Sequence, residues 1–205
     1  MSAIVENPKS YFRQFVPDRG LLLLELEEEA QRKSIPIVGP VVGELLFILA
    51  RATAAKTILE LGTASGYSAI FLARACENLN GRVITLEQDP AMAEKALKNF
   101  KTAGLEKHIE IRICDALQEI SKMTTPFDFI FMDIEKEDYT RALPDCQKLL
   151  KKGGLLVVDN VGFKDADEFN HVIAHHPEWR TVSLFSFLPL HSPENDGICL
   201  ALRQG

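Results

Sequence analysis

The chain has 205 residues, of which 46% are hydrophobic and 25% charged, a balance typical of a globular protein and not of a disordered one. Its formal net charge is −6, which argues against a protein that binds by neutralising phosphates. The length predicts a single domain over residues 1–205. No stretch reaches the ~18 consecutive apolar residues of a membrane span, and the polar start is unlike a signal peptide, so we expect a cytoplasmic protein.

The cysteines are far apart and have no C-x-x-C spacing, which is typical of buried small residues in a reducing compartment and argues against disulfides or a zinc site. They are Cys76, Cys114, Cys146 and Cys199.

Residues 1–54 are predicted to form N-terminal helices. Leu22, Leu26 and Ala30 recur at helical spacing and indicate one apolar face. The opposite, solvent-facing side is expected to carry Glu27, Glu28, Gln31 and Arg32. A second apolar run, from Val41 to Leu49, follows Gly39-Pro40, a common helix start.

From Lys56 onward, short apolar runs alternate with amphipathic segments. The runs predicted to be strands are Thr57–Leu61, Arg82–Leu86, Ile109–Ile113, Phe127–Met132 and Leu155–Val158. Apolar strands separated by helices indicate a parallel sheet covered on both faces, in a doubly wound α/β core over residues 55–205. After Asp165, a helix and two further strands are predicted, Thr181–Phe187 and Ile198–Leu202. Ligands in such folds bind at the carboxyl ends of the strands.

The first predicted strand leads into a glycine loop, residues 62–66, and then into an apolar helix. Glycines at such a turn let the backbone approach a ligand, and the helix start offers free N–H groups. Ala64 and Tyr67 stand where a dinucleotide fingerprint counted from Gly62 has its later glycines, and no P-loop lysine follows. The remaining E-x-G-x-x-x-G spacing, from Glu60 to Gly66, fits either a ligand loop or a plain tight turn.

Glu87 ends the second predicted strand. An acid at this point suits the two hydroxyls of a ribose, which nicotinamide and sulfonium cofactors both carry. A solvated glutamate at a strand end is the alternative. Together with the loop, Glu87 favours a ligand that contains adenosine.

Two more acids follow predicted strands: Asp133 after the fourth, and Asp159, with Asn160 beside it, after the fifth. If these strands are neighbours, their backbones lie about 4.8 Å apart and the two carboxylates face each other. Carboxylates so close repel, and an all-oxygen ligand set favours Mg²⁺ or Mn²⁺ over zinc. Two unrelated acids that cap nearby helices are the alternative. Lys136 follows closely, and a lysine beside a divalent ion loses its proton more easily and can act as a base.

The histidines carry less information. A structural or exposed role is favoured, in the absence of an H-E-x-x-H pattern, for His171, His175 and His176. A polar stretch before the last strand could border a substrate pocket, and it contains His191, Glu194 and Asn195.

As a set, these motifs resemble the cation-dependent class I S-adenosylmethionine O-methyltransferases, the family of catechol and caffeoyl-coenzyme A O-methyltransferases and their bacterial relatives. The resemblance covers roughly residues 35–205 and is carried mainly by residues 58–68, 131–136 and 158–160. It implies a Rossmann-like seven-stranded sheet with the last strand antiparallel. It also implies a homodimer.

The resemblance further implies specific roles. S-adenosylmethionine is expected to contact Val38, Glu60, Gly62, Gly66, Tyr67, Ser68, Glu87, Asp115, Ala116 and Asp133. Mg²⁺ or Mn²⁺ is expected on Asp133, Asp159 and Asn160, with Lys136 as the catalytic base.

We therefore predict a metal-dependent O-methyltransferase acting on a small vicinal dihydroxy aromatic. Ile134 and Glu135 stand where the catechol enzymes carry His and Trp, so the acceptor itself is not identified. One alternative is a tRNA hydroxyuridine methyltransferase, which the net charge disfavours, although a basic rim could include Lys95, Lys98, Lys101 and Lys107. Another is a cofactor-binding module without turnover, which the presence of Lys136 disfavours.

Overall fold

A seven-stranded sheet organises the computed structural model, which describes residues 4–204. Its strands are Thr57–Leu61 (β1), Arg82–Glu87 (β2), Ile109–Ile113 (β3), Phe127–Met132 (β4), Leu150–Val158 (β5), Trp179–Phe187 (β6) and Asn195–Arg203 (β7). The order is β3-β2-β1-β4-β5-β7-β6, with β1 to β5 parallel and β7 antiparallel to both β5 and β6. The predicted fold, including the antiparallel last strand, is confirmed.

Helices cover both faces of this sheet. They are Pro8–Arg13 (α1), Leu21–Lys33 (α2), Gly39–Ala52 (α3), Tyr67–Cys76 (α4), Pro90–Thr102 (α5), Ala116–Lys122 (α6), Tyr139–Leu149 (α7) and Asp167–His175 (α8). Helices α2 to α5 pack in one buried cluster and α6 to α8 in the other. The inner strands feed both clusters, because successive side chains of a strand point to opposite faces: Phe129 and Phe131 join the first and Ile130 and Met132 the second. No helix among residues 4–204 has the length and apolar character needed to cross a membrane.

The structure corrects the predicted starts of three strands and extends β2 to Glu87 and β7 to Arg203. Strand β5 begins at Leu150, which pairs with Phe127 before the register shifts to pair Phe129 with Leu155. The intervening Lys151-Lys152-Gly153-Gly154 has the composition of a turn, which concealed this first part of the strand. Strands β6 and β7 also begin earlier than predicted, so Asn195 opens β7 and does not precede it.

Glu27 is a further correction. It was expected on the solvent side of α2, yet it is only 4% exposed. The buried face of this helix consists of Leu23, Leu26, Glu27 and Ala30, which is the ordinary i, i+3, i+4, i+7 pattern. A carboxylate can occupy this face because Arg19 donates hydrogen bonds to both of its oxygens.

The register of the central strands places four chain segments side by side. Leu61 at the end of β1 is level with Leu86 and with Met132, and Met132 is level with Val158. The residues that follow these strand ends therefore lie along one edge of the sheet, which is where ligands of doubly wound folds bind.

Candidate active site

A cleft of about 240 Å³ opens at this edge of the sheet. Among the predicted site residues, its lining includes Val38, Gly62, Tyr67, Ser68, Glu87, Asp115, Ala116, Asp133, Lys136, Asp159 and Asn160. Glu60 and Gly66 lie outside the lining. The structure thus gathers eleven of the thirteen residues predicted to bind the cofactor or the cation or to act as the base, from both halves of the sheet, around this cleft.

The glycines of the loop owe their identity to packing within the protein. Gly62 has φ +95°, and a Cβ there would lie 2.0 Å from the carbonyl oxygen of Asp133. Gly66 has φ +83°, and its Cβ would lie 2.4 Å from the ring of Phe100 on α5. Any side chain would displace the loop, so both glycines are needed for the close approach of β1, β4 and α5.

Glu87 holds the glycine loop against the end of β2. One carboxylate oxygen accepts hydrogen bonds from the backbone N–H groups of Thr63, at 3.2 Å, and Ala64, at 2.8 Å. The other accepts from the N–H of Asp89 at 2.9 Å. A carboxylate offers about four acceptor positions, so capacity for a ligand hydroxyl remains.

Glu60 lies beneath the loop and is fully buried. Thr85 donates a hydrogen bond to its Oε2 at 2.5 Å, while its Oε1 has no partner among the described residues. Burial raises the pKa of Glu60 to about 8, because the charged form is poorly solvated there and Asp133 and Glu87 are also negative. Glu60 is therefore protonated at neutral pH and supports the cleft from below.

Asp115 and Cys114 flank the cleft near α6. Asp115 caps this helix, since its Oδ1 accepts a hydrogen bond from the N–H of Gln118 at 2.8 Å. Cys114 is partly exposed and lines the cleft, whereas the sequence predicted a buried residue. The position at the open end of β3 explains the difference. Burial of the remaining part raises the pKa of its thiol.

Tyr67 links the cleft to the N-terminal helices. Its hydroxyl donates a hydrogen bond to Glu27, the buried glutamate of α2 that Arg19 also contacts. Burial, together with the negative charge of Glu27, raises the pKa of Tyr67 above its ordinary value. The sequence contains one indication of this contact: Glu27 lies at helical spacing from the apolar residues of α2. Because a carboxylate is charged, this spacing does not by itself predict a buried residue.

Asp133 and Asp159 follow neighbouring strands, as predicted. The N–H of Asp159 donates to the carbonyl of Met132 at 3.0 Å, which continues the β4–β5 ladder to the two acids. Burial and the negative charge of Asp159 raise the pKa of Asp133 to about 6. Lys136 Nζ lies 3.5 Å from Asp133 Oδ1 and donates to the carbonyl of Ile134 at 3.2 Å.

His191 is a residue whose role the sequence did not assign. Its Nε2 lies 3.0 and 2.9 Å from the two carboxylate oxygens of Asp159, and its Nδ1 lies 2.6 Å from the carbonyl oxygen of Pro193. Both neighbours are acceptors, so both ring nitrogens carry a proton and the ring is cationic. Burial works against that charge, but the hydrogen bond to Asp159, its negative charge, the contact with Pro193 and the charge of Asp196 together raise the pKa of His191.

Asn160 completes the group of oxygen donors. Its Nδ2 donates to Asp196 Oδ2 at 2.7 Å and to the carbonyl of Ser192 at 3.4 Å. Its Oδ1 accepts no hydrogen bond from residues 4–204 and is the atom left for the cleft that Asn160 lines. Two carboxylates that repel and one amide oxygen fit a hard divalent cation. This set consists of two acids and an asparagine. Among the same residues, no three or more His, Cys, Asp or Glu side chains are grouped so that they could hold a metal ion without such an amide.

A second cavity adjoins the first. It encloses about 360 Å³ and shares the lining residues Ile37 and Ser192 with the cleft. His191 and Glu194 line it, as expected for residues bordering a pocket, whereas Asn195 is exposed at the start of β7. Arg13 of α1 donates hydrogen bonds to both carboxylate oxygens of Glu194, at 2.9 and 2.8 Å, which ties the N-terminal helix to this wall.

The other singled-out side chains lie away from the cleft. His171 and His175 are exposed on α8 and His176 is half-buried just beyond it. In the expected basic rim, Lys95 pairs with Glu29 at 2.8 Å and Lys98 with Glu94 at 2.7 Å. Half of that rim is thus neutralised by neighbouring acids.

Comparison with protein families decides the assignment. Residues 16–180 match the family model described as O-methyltransferase. The chain belongs to the O-methyltransferase family. Over 128 residues it is 44% identical to the catechol O-methyltransferase of Niastella koreensis, covering 60% of this chain and 58% of that protein. It is 38% identical over 120 residues to the catechol O-methyltransferase of Mycobacterium tuberculosis, covering 58% of this chain and 54% of that protein.

The matched part thus spans little more than half the length of these two relatives. A longer match joins the chain to the mouse catechol O-methyltransferase domain-containing protein 1, with 32% identity over 90% of this chain and 73% of that protein. Among solved structures, the O-methyltransferase from Bacillus cereus in complex with SAH has a TM-score of 0.85 at 28% identity and 96% coverage of both chains. TomG from Streptomyces achromogenes, in complex with SAM, has the same TM-score at 29% identity and 96% coverage of both chains.

Proposed function

We propose that this chain transfers a methyl group from S-adenosylmethionine to one oxygen of a small vicinal dihydroxy aromatic, in a reaction that requires Mg²⁺ or Mn²⁺. One observation carries the proposal: the glycine loop with Glu87, the Lys136 side chain and the three oxygen donors of the β4 and β5 ends line a single cleft. Family membership and relatives in complex with SAH and SAM support the cofactor.

The cation is supported by the chemistry of the donor set. Asp133 is pushed towards its neutral form by burial and by Asp159, so a cation between the two would relieve an existing repulsion. Asp133, Asp159 and Asn160 would supply three oxygen ligands. A six-coordinate ion would then keep positions for water or an acceptor.

The residues of the chain divide the remaining work. When bound, S-adenosylmethionine supplies the methyl group and the cation supplies a Lewis acid for two adjacent acceptor oxygens. Glu87 and the loop would orient the cofactor, and Val38 and Tyr67 line the same cleft. As a neutral amine beside the bound cation, Lys136 Nζ would accept the proton of the reacting hydroxyl. Holding both reactants in line supplies much of the rate of such a transfer.

A small acceptor is favoured over tRNA by the charge of the molecule. The net charge is −6, and Lys95 and Lys98 of the expected rim are paired with acids, so little positive potential remains for a phosphate backbone. The second cavity, which shares Ile37 and Ser192 with the cleft, offers room for a small acceptor beside it.

A homodimer is part of the same proposal. Strand β6 is an edge strand of the sheet, and Val182, Leu184 and Phe185 on it are 47%, 48% and 73% exposed. Long apolar edge strands are usually covered in the native assembly. Sedimentation of the purified chain tests this: a monomer at micromolar concentration would contradict it.

The decisive experiment measures methyl transfer from labelled S-adenosylmethionine to a panel of catechols and to undermodified tRNA side by side. We expect labelling of a catechol, its loss with a chelator and its return with Mg²⁺ or Mn²⁺. Full activity after exhaustive chelation would remove the metal from the proposal. Labelling of tRNA that decreases steeply with salt concentration would show that the acceptor is tRNA and not a small aromatic compound.

A further inference from the structure

Asp196, at the start of β7, is buried to 1% exposure and lies behind the cleft, not in its lining. Its Oδ2 accepts the hydrogen bond of Asn160 Nδ2 at 2.7 Å. Its Oδ1 accepts from the backbone N–H groups of Gly162 and Gly197, at 3.1 and 2.6 Å. The two oxygens thus have separate tasks: one binds the backbone and the other binds the amide of Asn160.

This contact fixes which way the amide of Asn160 points. The carboxylate of Asp196 and the carbonyl of Ser192 are both acceptors, so the atom that faces them must be the nitrogen. If the amide turned over, its oxygen would lie against two oxygens. Only the present orientation leaves Oδ1 for the cleft.

Two glycines make room for the arrangement. A Cβ on Gly162 would lie 2.5 Å from Asp196 Oδ1, and a Cβ on Gly197 would lie 2.9 Å from the N atom of Gly162. The N–H of Val161 also donates to the carbonyl of Gly197 at 3.0 Å. The segment after β5 and the start of β7 are therefore built to touch, with Asp196 enclosed between them.

The backbone of Asn160 is held as firmly as its side chain. Its φ is +53°, in the left-handed region that asparagine tolerates better than most residues. The N–H of Phe163 donates to its carbonyl at 3.2 Å. With backbone and amide both constrained, the position of Oδ1 is set before any ligand arrives.

We propose that Asp196 is a positioning residue that turns the amide oxygen of Asn160 towards the cation site and excludes the nitrogen from it. The inference rests on the proposed function, since it assumes that Asn160 binds the cation. Asp196 does not line the cleft, and it acts on the cation site through Asn160. Groups behind metal ligands commonly change metal affinity by about 10–100-fold.

The test measures Mn²⁺ binding by calorimetry in the absence of acceptor. In Asp196→Asn the new amide oxygen stays on the N–H groups of Gly162 and Gly197, so the new NH₂ group faces Asn160 and favours a turned-over Asn160 amide. We expect Mn²⁺ affinity to fall by about 10–100-fold, with S-adenosylhomocysteine affinity unchanged. Asp167→Asn is the control, because it removes the same charge from an exposed acid of α8 that pairs with His171 and lies outside the cleft lining.

A swapped pair separates positioning from loss of structure. In Asn160→Asp combined with Asp196→Asn, the amide at 196 donates to the carboxylate at 160, and position 160 presents oxygen in either orientation. Mn²⁺ affinity should return to the wild-type value or exceed it. If Asp196 had only a structural role, the single and the double variant would both have a lower melting temperature, and Mn²⁺ affinity would fall in both of them.

The outcomes discriminate clearly. Wild-type Mn²⁺ affinity in a folded Asp196→Asn protein, or no recovery in the swapped pair, overturns the inference and leaves the proposed function standing. Absence of Mn²⁺ binding by the wild-type chain overturns both. If the variants do not fold, a crystal structure of the wild-type protein with Mn²⁺ decides: the ion must contact Asn160 Oδ1 while Nδ2 stays on Asp196.

Discussion

His191 and Asp159 form a buried pair across 32 positions of sequence, each side chain 1% exposed. The imidazole Nε2 lies within 3.0 Å of both carboxylate oxygens. In the absence of a bound cation, the positive charge of His191 compensates the negative charge of Asp159, which is buried in the cleft wall. A single buried charge left without a partner is far more costly than the pair is favourable.

Replacement of His191 by leucine, similar in size but without a donor, should therefore destabilise the metal-free protein strongly. We expect the free energy of unfolding to fall by roughly 3–5 kcal/mol, as for other buried pairs that lose one partner. Because the pKa of His191 is raised, the stabilising pair is fully present below its ordinary pKa of 6.5 and is lost as pH rises through the raised value. Urea unfolding should show that the difference in the free energy of unfolding between the two proteins is larger at acid pH than at alkaline pH.

The control for this prediction is His175→Gln, because His175 is exposed and contacts only a carbonyl of its own helix. A surface change of this kind stays within about 0.5 kcal/mol. Equal stability of wild type and His191→Leu at acid pH would mean that Asp159 is compensated in another way.

Glu60 predicts a second pH dependence. Its pKa is raised to about 8 from an ordinary 4.5, so between these values the folded protein holds a proton that the unfolded chain has released. This contribution to stability is complete below pH 4.5 and is lost as pH rises through about 8. Glu60→Gln keeps the neutral form at every pH.

We therefore expect the wild type to lose stability relative to Glu60→Gln as pH rises across this window, with a slope of up to about 1.4 kcal/mol per pH unit. Urea unfolding of both proteins at several pH values measures it. Parallel stability curves would show that Glu60 is ionised in the fold.

The strand pattern and the acids at the strand ends were readable from sequence because both depend on local order. The bounds of β1 and β4 coincide with the predicted runs, and Asp133 and Asp159 follow their strands directly. A parallel sheet then brings strand ends together without further information. This is why most of the predicted site residues line the cleft.

What the sequence did not reveal are contacts between distant segments that depend on charge compensation. Nothing local marks His191 as the partner of Asp159, or Asp196 as the partner of Asn160, since 32 and 36 positions separate them. Glu27 was assigned to solvent because carboxylates are rarely buried unless paired, and its partners Arg19 and Tyr67 belong to other elements. Such pairs become visible only once the fold fixes their distance.

Glu87 is predicted to bind the ribose while it holds the glycine loop. Glu87→Ala should weaken S-adenosylhomocysteine binding by roughly 2–3 kcal/mol, the range for hydrogen bonds to a charged group, and leave Mn²⁺ affinity unchanged. Calorimetry with the 2′-deoxy analogue separates the two roles: wild type should discriminate against it, and the variant should not. Glu110→Ala on β3, an exposed acid, is the control. If Glu87→Ala discriminated against the 2′-deoxy analogue as the wild type does, Glu87 would hold the glycine loop but would not bind the ribose.

Lys136 is predicted to act in the reaction and not in binding. Its Nζ lies 3.5 Å from Asp133 and is held above the ring of Phe163, 5.8 Å from the ring centre, so the amine is fixed at the mouth of the cleft.

Lys136→Ala should lower kcat by about 10²–10⁴-fold, the usual contribution of a positioned base, while KM changes little. Part of the loss should be recovered at high pH, where the acceptor hydroxyl ionises unaided. The control is Lys164→Ala, an exposed lysine that follows Phe163 in the chain and does not line the cleft. Steady-state kinetics with a catechol measure both variants, and a Lys136→Ala protein with wild-type kcat at neutral pH would assign the proton to another acceptor.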